Sequence, residues 1–126
     1  MKLYYSILIL GMIFLTGCGP EMAKNVDPQE AGQALKTALT AWKDGKTGAE
    51  LESQNPSILM NESDWSSGNR LLEFKMNDTG VIDGRQVKWV VQIKMQPKNG
   101  KAVDRKATYI IDTLPRIVIV RDSFAS

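Results

Sequence analysis

The chain has 126 residues, with 16 Lys and Arg against 14 Asp and Glu, a formal charge of +2, one cysteine and no histidine. Near-neutrality argues against bulk nucleic-acid binding, which rests on neutralising several phosphates. The missing histidine removes the commonest general base, the commonest metal ligand and the physiological pH switch.

The N-terminus carries Lys2 and then an apolar run over residues 3–15 that ends at the small residues Thr16 and Gly17, just before Cys18. That is the layout of a secretory signal, and the run is shorter than the ~20 apolar residues of a bilayer-spanning helix. Leu15-Thr16-Gly17-Cys18 resembles the lipobox of bacterial lipoproteins, residue by residue. The resemblance implies a diacylglycerol on the Cys18 sulfur, cleavage before Cys18 and acylation of the new amino group. It also implies an address in the cell envelope, with the membrane as partner through the anchor. In that family an aspartate after the cysteine often signals inner-membrane retention, so Gly19 leans the address toward the outer membrane. The expected division is a signal peptide over 1–17, a tether over 18–26 and one α+β domain over 27–126. Loss of the signal removes Lys2 alone among charged residues and leaves a formal charge of +1.

Asp27-Pro28-Gln29-Glu30 opens a helix: Asp27 caps, Pro28 suits the first helical position and Glu30 has capping-box spacing. Ala31, Ala34, Leu35, Ala38, Leu39 and Trp42 recur at three- and four-residue steps as one apolar stripe, and Asp44-Gly45 ends the helix. Thr47 to Glu50 repeats the capping-box spacing and predicts a second, short helix to about Ser53. Ile58-Leu59-Met60 reads as a short strand or an extended connector, and residues 61–68 as a turn-rich link holding Trp65.

From there the period changes to two. Leu72, Phe74 and Met76 alternate with Leu71, Glu73 and Lys75; residues 77–84 read as a turn. Val87, Trp89, Val91, Ile93 and Met95 alternate in a second strand, and residues 97–101 with Asn99-Gly100 signal a hairpin. Ala107, Tyr109 and Ile111 mark a third strand, and Ile117 to Val120 a fourth that is apolar on both faces. The expected fold is α+β, an N-terminal amphipathic helix packed on a curled four-stranded antiparallel sheet. This element order resembles a pared-down cystatin-like or nuclear-transport-factor-like domain, folds that host many unrelated functions.

Enzymes of the nuclear-transport-factor-like fold often place an aspartate with a histidine or tyrosine between helix and sheet. Asp64, Asp112 and Tyr109 are the residues here to weigh for such roles, but no spacing pairs them, and Asp112 reads as a turn residue and Tyr109 as core. The catalytic expectation is therefore none. Asn77-Asp78-Thr79-Gly80 and Asp83-Gly84 lack the acid spacing of a calcium loop, so no metal and no cofactor is expected. Trp42 and Trp89 read as core, whereas Trp65 either plugs the open end of the layer or stands exposed as a binding contact. Lys94, Lys98, Lys101, Arg105 and Lys106 crowd around one hairpin, either as a solvated tip or as a contact for anionic headgroups or another acidic envelope polymer.

The expected function is a lipid-anchored envelope lipoprotein presenting a small non-catalytic binding or accessory domain, with an envelope protein as a possible partner. The alternative is a structural or self-associating envelope component, because an edge position for residues 117–120 would invite pairing, with Arg116 and Arg121 as gatekeepers. An enzyme acting in a helix–sheet pocket comes third.

Overall fold

In the computed structural model, which describes residues 27–123, helix α1 spans Pro28–Lys43. Asp27 precedes it in extended backbone, and its Oδ1 accepts from the Gln29 N–H at 2.9 Å. Pro28 fills the first turn, where the missing N–H would have no helical partner anyway. Gly45, at φ 82°, takes the left-handed position that ends the helix. The apolar stripe is buried from Ala31 to Trp42, while Gln33, Lys36, Thr37, Thr40 and Lys43 face solvent. Helix α2, Gly48–Glu52, begins with the reciprocal cap: Thr47 Oγ1 accepts from the Glu50 N–H, and the Glu50 carboxylate accepts from the Thr47 N–H at 2.7 Å.

The remaining elements are β1 (Ile58–Asn61), α3 (Ser63–Ser66), β2 (Arg70–Met76), β3 (Val81–Asp83), β4 (Gln86–Gln96), β5 (Val103–Asp112) and β6 (Ile117–Arg121). They form one sheet in the order β1-β6-β5-β4-β2, with β3 pairing β4 beyond the end of β2. The fold is thus α+β, with six strands where the sequence pattern predicts four. The two additional strands are short. β1 reads equally as a connector in sequence, and β3 lies inside the 77–84 stretch because all three of its residues are exposed and show no alternation.

The sheet is also mixed and not purely antiparallel, because β1 runs parallel to β6, pairing Ile58 with Ile117 and Asn61 with Val120. That pairing corrects the edge position considered for residues 117–120. β6 lies between β1 and β5, so its backbone groups are already paired on both sides. α1 is set mainly against β2, with lighter contact to β1, β4, β5 and β6, and is not centred across the sheet.

β4 and β5 are the spine of the core. Val87, Trp89, Val91, Ile93 and Met95 are buried on β4, and Ala107, Tyr109 and Ile111 on β5. Burying a Val, Ile or Met side chain stabilises by about 1.5–3 kcal/mol each, so this central pair holds much of the hydrophobic stabilisation. In β2 the expected phase slips. Leu71 is buried opposite Met95 and Leu72 only half-buried, because the register shifts between Leu71 and Glu73. A β-bulge there puts one extra residue into the strand, so Leu71 and Phe74 both serve the core face.

Candidate functional site

Trp89 is the floor of an open groove. Its indole lies between α1 and the loop that joins β2 to β3, and only 7% of the residue is exposed. Two glycines make room for it. A Cβ at Gly32 would stand 2.7 Å from Trp89 Cη2, and one at Gly80 would stand 2.8 Å from Cζ3 and 2.5 Å from Val87 Cγ1. Only a residue without a side chain fits at either point. The Trp89 Nε1–H donates to the Asn77 carbonyl at 2.9 Å, which ties the loop to the ring.

Above this floor is an open cavity of about 570 Å³. Gln29, Gln33 and Lys36 from α1 form one rim, and Asn77, Asp78 and Thr79 the other. Met76 and Pro28 add apolar surface. Such a groove can bury an apolar body and orient a polar end through amides, a hydroxyl, one cation and one anion. Sequence pattern alone gives Gly32, between Ala31 and Gln33 on α1, no role and reads Gly80 as a turn residue.

A second constellation is buried on the same face of the sheet, where Tyr109 on β5 pairs in register with Trp89. Glu62 follows β1, and its side chain is wholly inaccessible. Its carboxylate accepts from the Tyr109 hydroxyl at 2.5 Å, from Arg121 Nη1 at 3.0 and 3.1 Å, and from the Asp64 N–H at 3.0 Å. Arg121 also meets Asp64 Oδ2 at 3.0 Å. Asn69 then donates to Asp64 Oδ1 at 3.1 Å, and its own carbonyl accepts from Trp42 Nε1 at 2.9 Å. A continuous polar chain therefore links β5 and β6 to α3 and α1. Burial and the neighbouring Glu62 carboxylate push the Tyr109 phenol well above its usual range. The structure thus brings Asp64 and Tyr109 together, through Glu62 and Arg121, which no sequence spacing shows. Arg121 is an ion-pair partner in this cluster, not a gatekeeper on a free edge. Asp112 lies elsewhere and accepts from Gln86 Nε2 at 3.2 Å.

The other sequence candidates are spread over the surface. Cys18, with the expected signal and tether, lies outside the described residues. Trp65 is half-buried on α3, stacked on Trp42 with centroids 6.0 Å apart, and its Nε1 donates to the Lys46 carbonyl at 3.1 Å. Trp65 therefore packs against the last turn of α1 and stays partly exposed. Of the basic hairpin, Lys94 lies in register between Glu73 and Asp104, and Lys106 pairs with Gln92 on that same outer face. Arg105 is opposite Ile93 and so leaves the other face of the sheet. Lys98 is tethered through its N–H to Asn69 Oδ1 at 3.0 Å, and Lys101 is exposed on the turn. The five cations do not form one patch. Among the described residues no group of three or more His, Cys, Asp or Glu is placed to hold a metal. No protein family, curated protein or solved structure matches the chain.

Proposed function

We propose that this chain is a lipid-anchored lipoprotein of a bacterial envelope, and that its domain is a non-catalytic binding module whose ligand occupies the groove over Trp89. The anchor rests on Leu15-Thr16-Gly17-Cys18. The observation that carries the binding role is the groove of about 570 Å³, with an indole floor held open by Gly32 and Gly80 and an amide-rich rim. The absence of catalysis is supported by the use of the buried acid and phenol: Glu62 and Tyr109 are spent on each other and on Arg121, and none of the three lines the groove. We read the helix and curled sheet as a pared-down cystatin-like or nuclear-transport-factor-like domain, and the outer membrane as its address.

A fluorescent apolar probe, N-phenyl-1-naphthylamine, tests the groove. The wild-type chain is expected to enhance its emission, and Gln33→Trp, which fills the mouth, to abolish most of that enhancement. Equal enhancement by both proteins would place the probe, and the binding role, elsewhere.

A further inference from the structure

The domain has two distinct ends. At the first, Gln86 opens β4 and Asp112 closes β5, and the two are hydrogen-bonded, so the turns β3–β4 and β5–β6 lie side by side. Strand β3, leading into the first turn, carries Val81 (65% exposed) and Ile82 (56%), and the β5–β6 turn carries Leu114 (39%), three of the four large apolar residues that stand exposed among the described residues. Arg85 and Arg116 are exposed on the same two turns, while Asp83 is countered by Lys88 at 3.3 Å. The second end carries the hairpin with Lys98 and Lys101, about 30 Å away along β4 at the usual strand rise.

Helix α1 runs from the first end to the second. Its first turns share the Trp89 groove with Gly80, the residue before Val81, and its last turn reaches Asn69 and so Lys98 through Trp42 Nε1. Asp27 therefore enters the domain at the first end. Cys18 stands nine residues earlier, which covalent geometry limits to about 30 Å of reach.

Taking the lipid anchor on Cys18 as given, we infer that the first end rests on the anionic lipid surface that holds the anchor. Val81, Ile82 and Leu114 are its apolar contacts, and Arg85 and Arg116 meet the headgroups. Exposed apolar side chains at one end of a sheet, accompanied by arginines on the adjoining turns, suit the headgroup–acyl boundary, where the aliphatic part leaves water and the guanidinium keeps polar partners. Strand β3 has its backbone paired with β4 from Val81 to Asp83, so its side chains enter that boundary with that ladder satisfied. Asp78, the acid on the neighbouring groove rim, lies across from Lys36 on α1. In this orientation the groove opens along the bilayer, and the Lys98–Lys101 hairpin points away from it.

In the lipidated protein the Cys18 thiol is consumed, so Ile82→Cys, Leu114→Cys and Lys101→Cys each supply one labelling site. The three acylated variants, labelled with an environment-sensitive dye, are reconstituted into phosphatidylethanolamine/phosphatidylglycerol vesicles containing brominated lipid. Dyes at 82 and 114 are expected to shift to the blue and lose most of their emission to the quencher, and the dye at 101 to do neither. Quenching at 101 in place of 82 and 114, or at no position, overturns the inference. So does a blue shift at 82 that grows with protein concentration in detergent without lipid quenching, since it assigns the patch to a second copy of the chain. Intact mass separates the two layers of the argument. Absence of acyl mass defeats the anchor and the inference together, whereas an acylated protein with unquenched dyes defeats the inference alone.

Discussion

Tyr109→Phe removes one hydroxyl from the interior and tests the Glu62 network at its most buried point. The hydroxyl donates to Glu62 Oε2, and Tyr109 itself is fully buried. At pH 8 its loss is expected to cost about 1–3 kcal/mol, since a buried carboxylate gives up a donor and water cannot replace it. The pH dependence makes the prediction specific. Burial first, and then the charge and hydrogen bond of Glu62, raise the folded-state pKa of Tyr109 above its ordinary value of 10.0. Below that value the phenol is protonated in both states and its stabilisation is complete. Above it the unfolded chain releases the proton while the folded chain keeps it, so wild-type stability falls by about 1.4 kcal/mol per pH unit from this group. The Phe variant lacks that loss, and other alkaline titrations are common to both proteins. Urea unfolding at pH 8, 10 and 11 should therefore show a gap between the two that narrows from its pH 8 value by about 0.4 kcal/mol at pH 10 and by about 1.4 kcal/mol at pH 11. A gap that stays constant over this range would refute the burial and charge argument.

Arg121→Met strands Glu62 and Asp64 without their cation, and is expected to cost about 3–5 kcal/mol by urea unfolding, with partial recovery when Glu62→Gln is added. Gly80→Ala drives a Cβ into Trp89 and Val87, so it should destabilise by about 1–3 kcal/mol and also weaken probe binding in the groove. Trp65→Ala loses the stack on Trp42 and the hydrogen bond to Lys46; a loss of about 1–3 kcal/mol with unchanged probe binding marks Trp65 as a structural plug. Lys98→Ala and Lys101→Ala are expected to change stability by under about 0.5 kcal/mol, measured by the same unfolding assay, because their side chains are exposed.

What the sequence reveals follows from how local each cause is. The caps at Asp27 and Thr47 and the glycine stop at Gly45 act within a turn or two, and they are readable as they stand. The alternation of β4 and β5 is legible because one face of each strand packs inward along most of its length. β3 is illegible because both its faces are wet, and β2 misleads because a bulge changes the phase at Leu71. The parallel pairing of β1 with β6 joins residues more than fifty positions apart, and nothing in either tetrapeptide encodes it. The same distance hides Glu62, which reads as one more polar residue in a loop until β6 brings Arg121 against it. The groove is not legible, since Gly32 lies beside the apolar stripe with nothing in the pattern to name its neighbour, and its counterpart Gly80 looks like any turn glycine until the fold brings both against Trp89.

The anchor on Cys18 is the claim on which the envelope address and the membrane-facing orientation depend. Intact mass and detergent partitioning of wild type and Cys18→Ala, both expressed in a lipoprotein-processing bacterium, test it directly. The account predicts that wild type loses residues 1–17, gains the mass of its acyl groups and enters the detergent phase, while the mutant does none of these. A wild-type chain that carries no acyl mass and stays in the aqueous phase would contradict it.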